Sequence, residues 1–299
     1  MSADAAILPT GNPAASAVLS LAPGALLGWP EAPPGSRPPV HPVLPEVARL
    51  NAHELAPSVA VVRAMRPDLV LDFGTDNAAF ARFAERLQAE TGVPVALIDG
   101  NLANSAASLR RLGALLGVPE RGDALAVYFE RLWEPIADVL PGGGPRVHYA
   151  IGPRGEKTVR QGSIHLNVIT MTGGTFVAPV ESGAGGRVSV SAEAVAKADP
   201  NLILTIDPDF YENADRLDIW ADTPAVRAGR VYLAPAPVFS WLDYPPGPNR
   251  IIGLAWLARL FHGLDIDVAA AAHAFHALFH RQDLDEQTLA EALARAGVG

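Results

Sequence analysis

Two stretches of this chain share one pattern of apolar and polar positions. "RAMRPDLVLDFGT" runs from Arg63 to Thr75, and "AKADPNLILTIDP" from Ala196 to Pro208. Each reads as a helix tail, a proline, an acid or amide, a continuous apolar run and a polar turn. A short continuous apolar run bounded by turn residues predicts a strand buried on both faces, as in a parallel sheet. The same reading extends along the chain. "AAIL" (Ala5–Leu8) predicts a short strand, and Asn12 with Pro13 predicts the cap and first turn of a helix. Ala25–Trp29 predicts a second strand, followed by a proline-rich loop, Pro30–Pro45. Ala78–Gly92 is an amphipathic helix closed by a glycine, and "VPVALIDG" is the next strand. Strands alternating with helices predict βαβ units.

The middle of the chain breaks this alternation. Ser105–Gly143 is helical throughout except at Val118-Pro119, and Arg121–Val139 predicts one helix about 28 Å long. Strands resume at "RVHYAIG" (Arg146–Gly152), "TFVAP", "PNLILTID" and "GRVYLAP", with a helix expected over Ser163–Gly174. Two helices, "RIIGLAWLARLFHG" and "VAAAAHAFHALFHRQ", close the chain. The expected fold is α/β: two Rossmann-like lobes with parallel sheets joined by one long helix. Residues 1–118 form an N-terminal lobe, 119–143 the connecting helix, and 144–299 a C-terminal lobe with the closing helices.

Composition narrows the function. With 299 residues, 49% of them hydrophobic, the chain can bury one or two sizeable cores. A net charge of −9 argues against a nucleic-acid partner, which wants a basic field. The chain has no cysteine, which excludes disulfides, thiolate metal sites, iron–sulfur clusters and a thiol nucleophile. No apolar run approaches the roughly 20 residues that span a bilayer. "MSADAAILPTG" lacks the basic start and long apolar stretch of a signal peptide.

In this order and spacing the segments resemble a known family. It comprises the helical-backbone substrate-binding proteins of ABC importers that capture ferric siderophores, haem, cobalamin and some oxyanions. The resemblance rests on "ILPTGNPAASAVLSLAPGALLGW", "RPDLVLDFG", "TGVPVALIDG", the single long helix, "VSVSAEAVAKADPNLILTID", "TPAVRAGRVYLAP" and "PPGPNRIIGLAWLARLF". It covers nearly the whole chain. It implies ligand capture in a cleft between two lobes, limited hinge motion about the helix, and delivery to a membrane permease with its ATPase subunits. It also implies a periplasmic location, soluble or lipid-anchored, with the leader absent from this chain. A monomer is expected.

In open parallel sheets ligands bind beyond the carboxyl ends of the strands. This rule selects the candidate ligand residues. In the first half they are Thr10 and Asn12, at a helix start whose amides suit an anionic oxygen, then Trp29, His41, Gly74 and Thr75. In the second half, "PRGEKTVR" (Pro153–Arg160) puts three cations on an expected loop of an acidic protein. Arg154 and Arg160 are the candidates there, because a guanidinium pairs bidentately with carboxylate or oxyanion oxygens. In "FSWLDYPPGPNR", Phe239, Trp241 and Tyr244 are candidates for stacking on a ligand face, with Asn249 expected to cap the following helix. Phe210 and Tyr211 are further rim candidates.

Other readings were weighed beside these. His273, His276 and His280 recur at helical spacing on one face, but phenylalanines and a leucine interleave with them, so a packed face is expected rather than a metal site. His148, His165, Asp72 and Asp76 are scattered. No nucleophile elbow, P-loop or zincin motif occurs. A two-lobed enzyme or cluster-assembly subunit is the non-receptor alternative, and the lack of cysteine weighs against it. The resemblance implies a ferric siderophore first, then an oxyanion such as molybdate, then haem or cobalamin. Tyr149, Tyr211 and Tyr244 keep an axial haem ligand open, and a mean hydropathy of +0.18 leaves room for a hydrophobic ligand. No intrinsic cofactor and no catalytic residue are expected. For permease docking the family carries a glutamate on the helix before each "PDLV"-like strand. Glu193 stands in that position, seven residues before Pro200. Ala60 occupies the equivalent place before Pro67, so Glu54 is the candidate on that side.

Overall fold

The computed structural model describes residues 5–30, 47–50, 54–74, 78–180 and 186–299, with residues 218 and 219 described for backbone only. In chain order the elements begin with β1 (Ile7–Pro9), α1 (Asn12–Leu21), α2 (Leu55–Met65), β2 (Leu69–Gly74), α3 (Ala78–Thr91) and β3 (Val95–Asp99). Two consecutive helices follow, α4 (Ser105–Leu115) and α5 (Pro119–Val139). The second half contains β4 (Arg146–Ala150), β5 (Lys157–Val159), α6 (Asn167–Met171), β6 (Thr175–Phe176) and β7 (Arg187–Ser189). It continues with α7 (Ala192–Ala198), β8 (Leu202–Thr205), α8 (Pro208–Asn213), α9 (Asp218–Ala221), α10 (Pro224–Arg227) and β9 (Val231–Leu233). The closing helices are α11 (Arg250–His262), α12 (Val268–Phe275) and α13 (Glu286–Arg295), with a π-helical turn at His276–His280 after α12.

The chain divides into two compact units. The first comprises Met1–Arg131, Tyr244–Asn249 and Ala274–Asp283. The second comprises Leu132–Asp243, Arg250–His273 and Leu284–Gly299. α5 carries the chain from the first unit into the second, and the division falls inside that helix.

In the first unit β1, β2 and β3 form a parallel sheet in that order. β2 lies between two strands, and Leu69, Val70, Leu71 and Phe73 are all buried, as a central parallel strand requires. Leu8 and Val70 pack with Val59 and Val62 of α2 and with Phe83 and Leu87 of α3. The segment Ala274–Asp283 is fastened to α1 by two arginines. Arg121 donates to the carbonyls of Ser20 and Leu278, while Arg281 donates to those of Leu19 (3.2 Å) and Leu21 (3.1 Å). These are the last carbonyls of α1, which have no partner within their own helix.

In the second unit the parallel sheet runs β6-β4-β8-β9, and its core gathers Ala150, Val195, Ile203, Phe210 and Trp220. A separate antiparallel ribbon pairs β5 with β7.

The repeated step is built alike in both units. α2 ends at Arg66 and α7 at Asp199, each in the left-handed conformation with φ of 47° and 49°. A proline follows each and disfavours the right-handed helical region for the residue before it, so the helix stops there and the strand begins.

Three expectations change. Ala25–Trp29 is not a strand: Pro23–Ala25 forms a 3₁₀ turn, and only an isolated bridge joins Leu26 to Ile7. The helix expected over Ser163–Gly174 starts as a 3₁₀ turn at Ile164–Leu166 before α6. The cationic "loop" is partly strand, since Lys157–Val159 finds a partner in Arg187–Ser189 that no local pattern announces.

Candidate functional site

Thr10, Gly11 and Asn12 follow β1 in the first unit, and Asp72 stands within β2. Thr10 is already engaged. Its amide donates to Leu71 O at 2.9 Å, its carbonyl accepts from Leu50 N at 3.0 Å, and its hydroxyl donates to Asp72 Oδ1 in a short bond. Both donors of Thr10 are thus engaged within the first unit. Asn12 is not the cap. Gly11 occupies the N-cap position, Asn12 is the first helical residue, and its Oδ1 is buried without a hydrogen-bond partner among the described residues. Burial pushes the Asp72 carboxyl above its usual range, against the opposing pull of the Thr10 hydroxyl and the Arg49 guanidinium.

Gly74 closes β2 opposite Asp99, and its carbonyl accepts from Gly100 N at 2.8 Å. A methyl group on Gly100 would lie 2.9 Å from Gly74 Cα, so the two chains touch there without side chains. Trp29 is buried and belongs to the packing rather than to an accessible surface. His41 and Thr75 lie outside the described residues, as does Asp76. Tyr244 is half-buried with φ of 66°, and it opens the short segment that completes the first unit. Gly247 in that segment meets α1 so closely that a Cβ would lie 2.2 Å from Ser16 Oγ. Asn249 precedes α11 and donates its amide to Pro245 O at 3.0 Å.

In the second unit β4 ends in a tight turn, Gly152–Glu156. Gly152 and Gly155 have φ of 93° and 65°, a region that favours glycine. The turn is tied down at several points. Arg154 N donates to Glu156 Oε2 (3.1 Å), Trp220 Nε1 donates to Arg154 O (2.8 Å), and Val190 N donates to Glu156 O (2.9 Å). The Arg154 backbone is thus held from both sides while its side chain is exposed. Arg160 is half-buried just beyond β5.

Phe239 and Trp241 are buried. A Cβ on Gly253 of α11 would lie 2.1 Å from Trp241 O, so this stretch is packed against the helix. Phe210 is likewise a core residue, edge-on to Trp220 with centroids 5.0 Å apart, whereas Tyr211 is half-buried. Tyr149 is fully buried and donates its hydroxyl to Asp243 Oδ2 at 3.1 Å, so it is not placed to be an axial ligand.

Asp243 is the residue that sequence reasoning missed. Its carboxylate also accepts from His165 Nδ1 at 2.7 Å. The side chain of Asp243 is 2% exposed and that of His165 is 27% exposed. The one signal for it in the sequence is that Asp243 is the single acid in an aromatic and proline-rich run, Phe239–Arg250.

Two of the histidines near the end of the chain, His276 and His280, are buried. His276 and His280 face each other with Nδ1 atoms 3.0 Å apart beside Phe275 and Phe279. Burial, with His276 beside it, pulls the His280 value down to about 3. His148 is buried in β4 and pulled down to about 4 by desolvation. Among the described residues no group of three His, Asp or Glu side chains could hold a metal ion. Nor is any helix among them long and apolar enough to cross a membrane.

A family model described as "Periplasmic binding protein" matches residues 36–238 of this chain. The chain belongs to the periplasmic binding protein family. It is a binding protein rather than an enzyme. Solved structures share the fold over almost the full length. An ABC transporter solute-binding protein from Sulfurospirillum deleyianum is 23% identical, covers 97% of this chain and 94% of its own, and superposes with a TM-score of 0.84. The molybdate-bound periplasmic protein MolA of Haemophilus influenzae is 17% identical, with 94% and 95% covered and a TM-score of 0.73. A periplasmic haem-binding protein from Pseudomonas aeruginosa is 22% identical, with 86% and 92% covered and a TM-score of 0.59. A comparison with curated protein sequences found no match. On the family's pattern, Glu193 is exposed in the first turn of α7, where its own amide and the Ser191 hydroxyl hold its carboxyl below the usual range. Glu54 is exposed immediately before α2, and Ala60 is exposed within it.

Proposed function

We propose that this chain is the substrate-binding subunit of an ABC importer. It captures a small anionic ligand, in the first place a ferric siderophore, and delivers it to a membrane permease. The observation that carries the anionic ligand is the Arg154 turn. An exposed, permanently charged guanidinium stands there on a main chain already fixed by Trp220 and Glu156, so binding requires no further ordering of the backbone. Within the second unit, Arg160, half-buried just beyond β5, and Tyr211, half-buried in α8, are the further contacts of this reading, and Tyr244 is the candidate of the first unit. Glu193 and Glu54 are the proposed docking residues, meeting basic groups on the permease.

Protein taken from its own host, measured by native mass spectrometry and visible absorption, tests the ligand. A coloured bound mass of several hundred daltons supports the siderophore reading, a Soret band would replace it with haem, and a molybdate-sized mass would replace it with an oxyanion. Replacing Arg154 and Arg160 together with alanine should weaken binding of the ligand so identified by about tenfold, without lowering stability. Unchanged affinity would remove both residues from the site.

A further inference from the structure

Two arginines of the first unit converge on one short stretch of main chain, the last turn of α1. Arg121 of α5 donates to the Ser20 carbonyl through Nε at 3.2 Å and Nη2 at 3.1 Å. Arg281 straddles that carbonyl, donating through Nη1 to Leu19 O at 3.2 Å and through Nη2 to Leu21 O at 3.1 Å. Arg121 Nη2 also donates to Leu278 O in the π-helical turn. Successive carbonyls at a helix end are neighbours, so the two guanidiniums are held side by side. Burial first, and the Arg281 charge second, pull Arg121 down to about 10.

The charges there do not balance. A helix carries about half a negative charge at its C-terminus, so the ends of α1 and of the π-helical turn together offset about one of the two positive charges. No carboxylate supplies the other among the described residues. Asp123 pairs with Arg110 at 2.8 Å, and neither Glu120 nor Asp283, both exposed, forms an ion pair with either arginine. Arg121 Nη1 and Arg281 Nε are left over as donors among the described residues, and Arg281 is exposed.

The pair stands apart from the candidate ligand residues of this unit. α1 follows the carboxyl end of β1 and the chain after it returns to bridge Leu26 to Ile7. Ten residues of helix, about 15 Å, therefore separate these carbonyls from Asn12.

We propose that Arg121 and Arg281 form a second anion site, built for a phosphate group. One guanidinium fork fills both oxygens of a carboxylate, whereas a tetrahedral phosphate offers separate oxygens to two forks. Its charge completes the local balance. Arg281 lies in the segment Ala274–Asp283, so occupancy also ties that segment more firmly to α1. The group is a free phosphate or the phosphodiester of a lipid headgroup.

The full chain is titrated calorimetrically with inorganic phosphate, exchanged for chloride at constant ionic strength. It is also sedimented with vesicles of phosphatidylglycerol and, as a control, of phosphatidylcholine. The wild type should bind one phosphate group saturably. Arg281→Gln should weaken this about tenfold or more, and Arg281→Lys, which keeps the charge without the fork, should weaken it less. Arg154→Ala should bind phosphate as the wild type does. Circular dichroism verifies folding, and if Arg281→Gln does not fold, Arg281→Lys carries the comparison. Saturable binding of inorganic phosphate supports a free anion. Binding to phosphatidylglycerol alone, weakened in the Arg281 variants, supports a lipid headgroup. Equal binding by the wild type and the Arg281 variants would overturn the inference, as would binding lost in Arg154→Ala. Non-saturating uptake would mean an adventitious ion only, and no binding of either probe would likewise sink the site.

Discussion

Each unit holds a carboxylate against a side-chain hydroxyl, and the two are used in opposite ways. Asp72 in the first unit turns back onto the Thr10 hydroxyl with Arg49 nearby, and Thr10 in turn is locked by backbone bonds to Leu71 and Leu50. Asp243 in the second unit is gripped by Tyr149 from within and extends through His165 to a more exposed ring. One arrangement closes on itself, while the other transmits its orientation outward. The difference shows that a repeated scaffold does not imply repeated chemistry.

The sharpest way to break the comparison is to remove each carboxylate. Asp243→Ala leaves a fully buried tyrosine hydroxyl and a histidine N–H without their acceptor, and should cost about 3 kcal/mol of stability. Asp72→Ala removes a charge that burial already disfavours and should cost less than about 1 kcal/mol. Chemical denaturation of both variants measures this, and equal losses would show that the two sites are not different in kind.

Acidification gives a comparable effect with a known sign. His148 has its folded value at about 4, below the ordinary 6.5, so the unfolded chain takes up the proton first. Its contribution is intact above pH 6.5. Stability then declines as pH falls from 6.5 to about 4, by about 3 kcal/mol in all. His280 in the first unit acts with the same sign, down to about 3. His148→Leu should flatten the decline between pH 6.5 and 4. An unchanged titration would show that desolvation of His148 is not its source.

The smallest of these effects concerns the turns. Gly155→Ala puts a Cβ 2.5 Å from the Phe210 ring at a φ of 65°, and should cost about 2 kcal/mol as well as disturbing the Arg154 turn. Gly92→Ala in the first unit has a similar φ but opens onto free space, so only the backbone cost of about 1 kcal/mol remains. Thermal unfolding distinguishes the two. Identical shifts would mean that the Phe210 contact relaxes away.

Much of the fold was legible because it repeats a period. β2, β8 and α3 follow from unbroken apolar runs and from one amphipathic stripe, and the residue before each proline marks where its helix stops. The β5–β7 ribbon was not legible, because three-residue strands carry no periodic signal and their partners are far apart in the chain. The site was harder for the same reason. His165 and Asp243 are 78 residues apart and Tyr149 is 94 from Asp243, and no spacing rule links them. Trp29 follows an expected strand, and Phe239 and Trp241 lie between prolines before a helix; all three rings are buried, which a local pattern of aromatics does not reveal. Arg154 kept its exposed side chain because neighbouring groups hold its main chain and leave the guanidinium alone.

The division of the chain bears on how the protein is made. The first unit includes Tyr244–Asn249 and Ala274–Asp283, and Arg121 and Arg281 fasten the latter to α1. A ribosome that has released the whole N-terminal sheet has therefore not yet released what α1 needs to cover its last carbonyls. The usual order, in which the N-terminal body folds first and waits for the rest, does not apply. The first unit is finished only after nearly all of the second has emerged, so the nascent chain stays incompletely packed for most of its synthesis.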